Sequence, residues 1–188
     1  MKNKINHILI LVSLLLVAAC TSNSEGTAAD SAAKASSGVS AEKQTPENLE
    51  AILPDALLNM PKKISSKGNP KMKSGVEISM ARLVYREEGR EVQFEIYDSG
   101  TTGETMDSYR SWTGQTFNTD NDELVEKSST FEGFPSYEKF SKADKKSELH
   151  VLPNKRFELV LKGTNVSVEE LKQALKQWNI VSSLASLK

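Results

Sequence analysis

The chain has 188 residues, 38% hydrophobic and 26% charged, the composition of an ordinary globular protein and not of a collagen-like, wholly disordered or multiply membrane-spanning chain. Its 24 Lys+Arg against 25 Asp+Glu give a formal net charge of -1, without the basic excess that neutralises phosphate backbones, so nucleic acid is excluded as a partner. One cysteine and two histidines cannot build a thiolate zinc cage, a redox pair or an internal disulfide, and no cofactor is expected.

Residues 1–20 read MKNKINHILILVSLLLVAAC, in which Lys2 and Lys4 form a basic n-region and Ile8 to Val17 an apolar h-region, the layout of a secretory signal. The apolar run is shorter than the roughly 20 residues that a hydrocarbon core about 30 Å thick demands, so a transmembrane helix is the weaker reading. Val17-Ala18-Ala19-Cys20 resembles the lipobox of bacterial lipoproteins. The resemblance implies cleavage after Ala19, leaving residues 1–19 as a signal peptide, and a lipid-modified Cys20 that attaches the mature chain to a membrane. Each buried methylene contributes about 0.8 kcal/mol, so two or three acyl chains hold where one binds only marginally. Thr21 stands where an aspartate would resemble an inner-membrane retention signal, and TSNSEG lacks the acidic cluster that resembles a surface-export tag. In a cell with two membranes the expected location is therefore the outer membrane, facing the periplasm. An ordinary signal peptide with an incidental Cys20 is the alternative.

From Thr21 to Thr45 the chain is dominated by Ser, Ala, Thr and Gly, which bury too little apolar surface to offset the entropy of ordering. Residues 20–45 are thus expected to be a lipidated cysteine and a flexible linker, and residues 46–188 a single globular domain. Thr45-Pro46-Glu47 supplies a capping hydroxyl, a proline at the first helical position and a first-turn acid, which predicts a short helix carrying Leu49, Ile52 and Leu53, with Asp55 to Leu58 adding one further turn. Residues 61–75, with five lysines and no acid, read as a basic loop, either a solvated connection or a surface drawn to anionic headgroups.

Val76 to Arg86 and Arg90 to Asp98 form a hairpin about a turn at Glu87-Glu88-Gly89. Alternation places Val76, Ile78, Met80 and Val84 on one face and Val92, Phe94 and Ile96 on the facing side, pairing Val84 with Val92 and setting Arg82 opposite Phe94. In the polar stretch that follows, Met106, Tyr109 and Trp112 suggest one or two helical turns. Gly100-Thr101-Thr102-Gly103 lacks the Lys and Ser/Thr pair of a phosphate loop, and Asp120, Asp122 and Glu123 lack the spacing of a calcium loop, so they read as solvated acids.

From Leu124 the chain reads as an antiparallel meander with strands at 130–140, 147–152 and 156–161. His150 falls on the face opposite Leu149 and Val151 and is expected to face solvent. Ser167-Val168-Glu169-Glu170 is a capping box that opens a helix whose stripe runs through Leu171, Ala174, Leu175 and Trp178, with an apolar tail behind it. Together these predict an α+β domain, an antiparallel sheet of hairpin plus meander covered by a C-terminal helix.

FEGFPSYEKF, ELHVLPNKRFELVLKG and VSVEELKQAL resemble a pattern found in uncharacterised exported bacterial proteins, and the sheet-plus-helix arrangement is similar to a sandwich of the PsbP/Mog1 type. No functional residue follows from either resemblance. The expected role is a binding or interaction module at the envelope for a protein, lipid or glycan, with Trp112, Phe131, Phe134, Tyr137 and Phe140 as candidate ligand contacts. The alternative is an envelope hydrolase using a carboxylate pair such as Asp98 with Glu104 or Asp107.

Overall fold

The computed structural model describes residues 42–73, 75–100 and 111–187. The expected signal peptide, Cys20, most of the expected linker, Glu104, Met106, Asp107 and Tyr109 lie outside the described residues.

Thr45 caps α1 (Pro46–Ala51) as expected, its hydroxyl accepting from the Asn48 amide at 3.2 Å, and the helix buries Leu49 in the core. Instead of a further helical turn, Ala56–Leu57 forms a two-residue strand, β1, that pairs with the start of β2 (Met60–Gly68). The expected basic loop is therefore largely a strand. β2 lies next to the sheet margin and exposes Lys62, Lys63, Ile64 and Lys67, so its sequence shows no apolar alternation. A bulge between Lys62 and Ile64 interrupts its pairing with β3.

The remaining strands are β3 (Ser79–Glu87), β4 (Arg90–Asp98), β5 (Asn118–Asp120), β6 (Leu124–Phe131), β7 (Phe134–Ser141), β8 (Lys146–Val151) and β9 (Phe157–Thr164). They form one nine-stranded antiparallel sheet in the order β1-β2-β3-β4-β9-β8-β7-β6-β5. The fold is α+β, with the C-terminal helices across one face.

The β3–β4 hairpin departs from the expected register by one residue. Its turn is Glu88-Gly89 alone, both at positive φ (48° and 77°), as the two-residue turn that matches strand twist requires, and Glu87 pairs with Arg90. A one-residue shift moves every side chain to the other face. The core face of β3 is accordingly Ala81, Leu83 and Tyr85, set against Ile96, Phe94 and Val92, while Met80 and Val84 turn to the other side. Arg82 leaves Phe94 and sits opposite Glu95, its Nη1 3.7 Å from Glu95 Oε1 and its Nε donating to Ser66 Oγ at 2.9 Å. A second turn of the same kind, Glu132-Gly133 (φ 50° and 86°), splits the expected 130–140 strand into the ends of β6 and β7.

Ser167 and Glu170 form the capping box of α2 (Val168–Trp178), which buries Leu171, Ala174, Leu175 and Trp178. Asn179, at φ 55°, ends α2 and caps α3 (Ile180–Ala185), whose Ile180 is fully buried. Trp178 meets Phe94 edge to face with centroids 5.1 Å apart and donates its indole N–H to the Ile52 carbonyl at 2.7 Å, joining the last helices to the first. Towards β7 this helix-covered face turns polar: buried Glu138 is held by Lys172 at 3.0 Å and Lys127 at 3.2 Å.

Candidate functional site

The sheet's second face carries the polar alternates of the same strands. Glu158, Val160 and Lys162 alternate with core residues on β9, Glu148 and His150 on β8, and Tyr137 and Lys139 on β7. Register aligns Val160, His150, Tyr137 and Ser128 in one row across four strands. Trp112 closes over this row. It stacks on Tyr137 (centroids 6.1 Å, 27°), meets the His150 ring at 6.0 Å, and donates its indole N–H to Glu158 Oε1 at 3.4 Å. Leu152 and Phe117 complete this smaller apolar cluster.

His150 is buried there, which corrects the expectation that it faces solvent: alternation takes it off the main core correctly, but Trp112 and Tyr137 roof the face on which it emerges. Its Nδ1 lies 3.0 Å from Oε1 of fully buried Glu158, and its Nε2 3.7 Å from Glu148 Oε2. Burial pulls the imidazole pKa down, but the hydrogen bonds and charges of Glu148 and Glu158 outweigh it, leaving His150 above the ordinary histidine value. The His150 hydrogen bond in turn holds Glu148 below the usual carboxylate value. Burial, then the bond to Glu126, pushes the Tyr137 phenol up. Both ring nitrogens of His150 thus face carboxylates, an arrangement that braces Trp112.

A pH dependence of stability follows. A raised histidine contributes fully below its ordinary pKa of 6.5, and that contribution is lost as pH rises through its folded value. Lowered Glu148 contributes fully above 4.5, and its share is lost as pH falls through its folded value. The site should therefore be most stable between about pH 4.5 and 6.5. In thermal melts across pH, His150→Gln should flatten the alkaline limb; an unchanged alkaline limb would refute the assignment.

Asp98, named for the carboxylate pair, is not on a solvated loop. It is fully buried and accepts from Arg156 Nε and Nη2 at 2.7 Å each, from the Gln44 amide at 2.7 Å and from the Gly100 amide at 2.8 Å. Arg156 also donates to the Glu42 carbonyl at 2.8 Å. Residues Glu42 to Gln44, assigned by composition to the linker, are thus strapped to the end of the sheet. Its proposed partners Glu104 and Asp107 lie outside the described residues. Asp120, Asp122 and Glu123 are exposed, Asp120 beside Lys142 at 3.0 Å. Among the described residues no group of three or more His, Cys, Asp or Glu side chains could hold a metal, and no helix is long and apolar enough to cross a membrane.

The five candidate aromatics do not share one surface. Phe131 belongs to the main core and Phe134 packs against it, under the helices. Phe140, on the same face, lines a groove of about 190 Å³ with Val125 and Val168. Trp112 and Tyr137 lie on the opposite face, because Tyr137 is out of phase with Phe134 and Phe140. Beside Trp112 a cleft of about 260 Å³ opens between residues 112–115 and strands β6 and β7, walled by Trp112, Pro135 and Leu152 and by Thr113, Gln115 and Ser128, with no charged side chain in its lining. Ser128 Oγ donates to the Gln115 carbonyl and accepts from the Phe117 amide, both at 3.0 Å, fixing the segment to the sheet. Sequence reasoning singled out Trp112 and Tyr137 but missed Glu158, whose only signal was the polar alternation of Glu158 and Lys162. Compared with known proteins, the chain matches no family model, no curated protein and no solved structure.

Proposed function

We propose that the chain is a lipid-anchored binding module of the cell envelope, attached through Cys20 and taking its ligand at the Trp112 cleft. The observation that carries the reading is the cleft itself, an uncharged concavity whose aromatic wall is fixed from behind by Tyr137, His150 and Glu158. A preorganised wall of this kind binds without first losing side-chain freedom. The lipobox-like Val17-Ala18-Ala19-Cys20 supports the anchor, and Thr21 an outer-membrane, periplasm-facing location where the cell has two membranes. A fold of the PsbP/Mog1 type is part of the same proposal, carried over from the sequence resemblance alone. A carboxylate hydrolase is the weaker reading, since Asp98 is already engaged by Arg156 and two backbone amides.

Two measurements test it. Intact mass of the protein taken from its own membrane should begin at Cys20 and carry two or three acyl chains; a free thiol or another start removes the anchor. Tryptophan fluorescence should change saturably with an envelope ligand drawn from peptidoglycan fragments, lipids or envelope peptides. Trp112→Phe should abolish that change and Phe140→Ala should leave it intact. The reverse pattern would move the site to the Phe140 groove.

A further inference from the structure

We infer that the Trp112 cleft takes a neutral sugar ring, presented close to the membrane that holds the protein. The inference rests on the reading of that cleft as the ligand site and adds the ligand's chemistry. The lining offers no counter-charge, so an ionised ligand would lose hydration there without compensation. An acyl chain would cover the Gln115 amide, whose Nε2 makes a single bond to the Ser111 carbonyl at 2.8 Å, with groups unable to hydrogen-bond. A peptide added as a strand would need free backbone groups, yet Ser128 N–H already donates to the Phe117 carbonyl and Leu152 N–H to the Pro135 carbonyl, both at 3.0 Å. A pyranose has an apolar C–H face and a rim of uncharged hydroxyls, which match Trp112, Pro135 and Leu152 on one side and the exposed Gln115 amide on the other. About 260 Å³ lies below the usual range of drug-sized sites and suits a ring more than a chain.

Position supplies the second part. Asp98 pairs with Phe157, Leu159 with Val151, and Val151 with Ser136, so the Asp98–Arg156 clamp and the cleft rim at Leu152 and Pro135 occupy the same end of the sheet. Three strand spacings separate β4 from β7, about 15 Å. The clamp holds Glu42, which lies 22 residues after Cys20 in the sequence, so the described chain enters the domain at the cleft's end of the sheet. Had the clamp sat at the far end, the length of a nine-residue strand, about 30 Å, would stand between Glu42 and the cleft. The ligand chemistry is thus a neutral saccharide, either the headgroup of a membrane glycolipid or a free glycan near the bilayer.

The test uses the full chain with Cys20→Ser, so that acyl insertion does not mask weaker binding. Fluorescence titrations would use diacetylchitobiose, maltose and cellobiose, and flotation would use phosphatidylcholine vesicles with and without a neutral glycosyl diacylglycerol. At least one disaccharide should bind saturably, only the sugar-bearing vesicles should carry the protein, and the disaccharide should displace them. Gln115→Ala, at an exposed position, should weaken both about tenfold, or about 1.4 kcal/mol. Binding of free sugar without vesicle binding would support the saccharide and overturn its membrane source. Flotation with sugar-free vesicles would overturn the inference. So would failure of every sugar while another envelope fragment still acts through Trp112, in which case the cleft remains the site. If no ligand of any class responds to Trp112→Phe, the inference and the reading beneath it both fall.

Discussion

Replacing Arg156 by methionine should cost about 3–5 kcal/mol, among the largest losses of any single change in this chain. Methionine keeps the length of the stem but removes the guanidinium, leaving the fully buried Asp98 carboxylate to the Gln44 and Gly100 amides. The penalty is that of an uncompensated buried charge and exceeds what the pair itself contributes, because both ions were taken out of water to form it. The double change Asp98→Leu with Arg156→Met should therefore be less damaging than the sum of its parts. Urea unfolding of the two singles and the double measures this. A single-variant loss under about 1 kcal/mol would show that water reaches the pair. Because Arg156 also holds the Glu42 carbonyl, limited proteolysis of Arg156→Met should cut between residues 42 and 45 faster than in the parent.

Trp178→Ala should cost a comparable 3–5 kcal/mol by the cavity it leaves at the junction of α1, α2 and β4. Two effects contribute and can be separated. Trp178→Phe keeps most of the apolar contact with Phe94 but leaves the Ile52 carbonyl without its indole donor, a loss of about 1 kcal/mol plus the missing ring volume. Denaturant midpoints of both variants should fall in that order. Equal midpoints would mean that the hydrogen bond, and not the packed ring, joins the last helices to the first.

The parts legible in sequence were those with local causes. Thr45-Pro46 and Ser167-Glu170 marked helix starts because capping is settled within four residues. The apolar alternates of β4 and β9 were readable because each strand is buried on that face along its length. What failed depended on turn length. Glu88 and Glu132 adopt positive φ, which nothing in a glutamate announces, and one residue more or less in a turn decides which face an entire strand presents. That single uncertainty displaced Arg82 and Met80, and an unread turn at Glu132-Gly133 made Phe131, Phe134, Tyr137 and Phe140 look like one aromatic series. The site was legible only in pieces. Trp112 stood out as an aromatic, but Glu158 lies 46 residues from it and Arg156 lies 58 from Asp98, separations that only the sheet order closes.

The margins of the sheet bear on how these molecules meet one another. Among the described residues β1 covers Met60 and Pro61 of β2 and the Lys62 amide donates to the Asp55 carbonyl at 2.9 Å, so from Lys63 to Gly68 the outer side of β2 is a strand edge with no neighbouring strand, while β5 covers three residues of β6 at the other margin. Such an edge is a template for pairing with a second copy. In an antiparallel β2-to-β2 encounter Lys63 of one chain and Lys67 of the other, the latter held by Glu50, would come within a strand spacing of about 5 Å, and the bulge after Lys62 would interrupt the ladder. Self-association along this edge is thus opposed by like charge and broken register. Screening governs the first of these, so raised ionic strength, more than raised protein concentration, is the condition that would let neighbouring molecules pair.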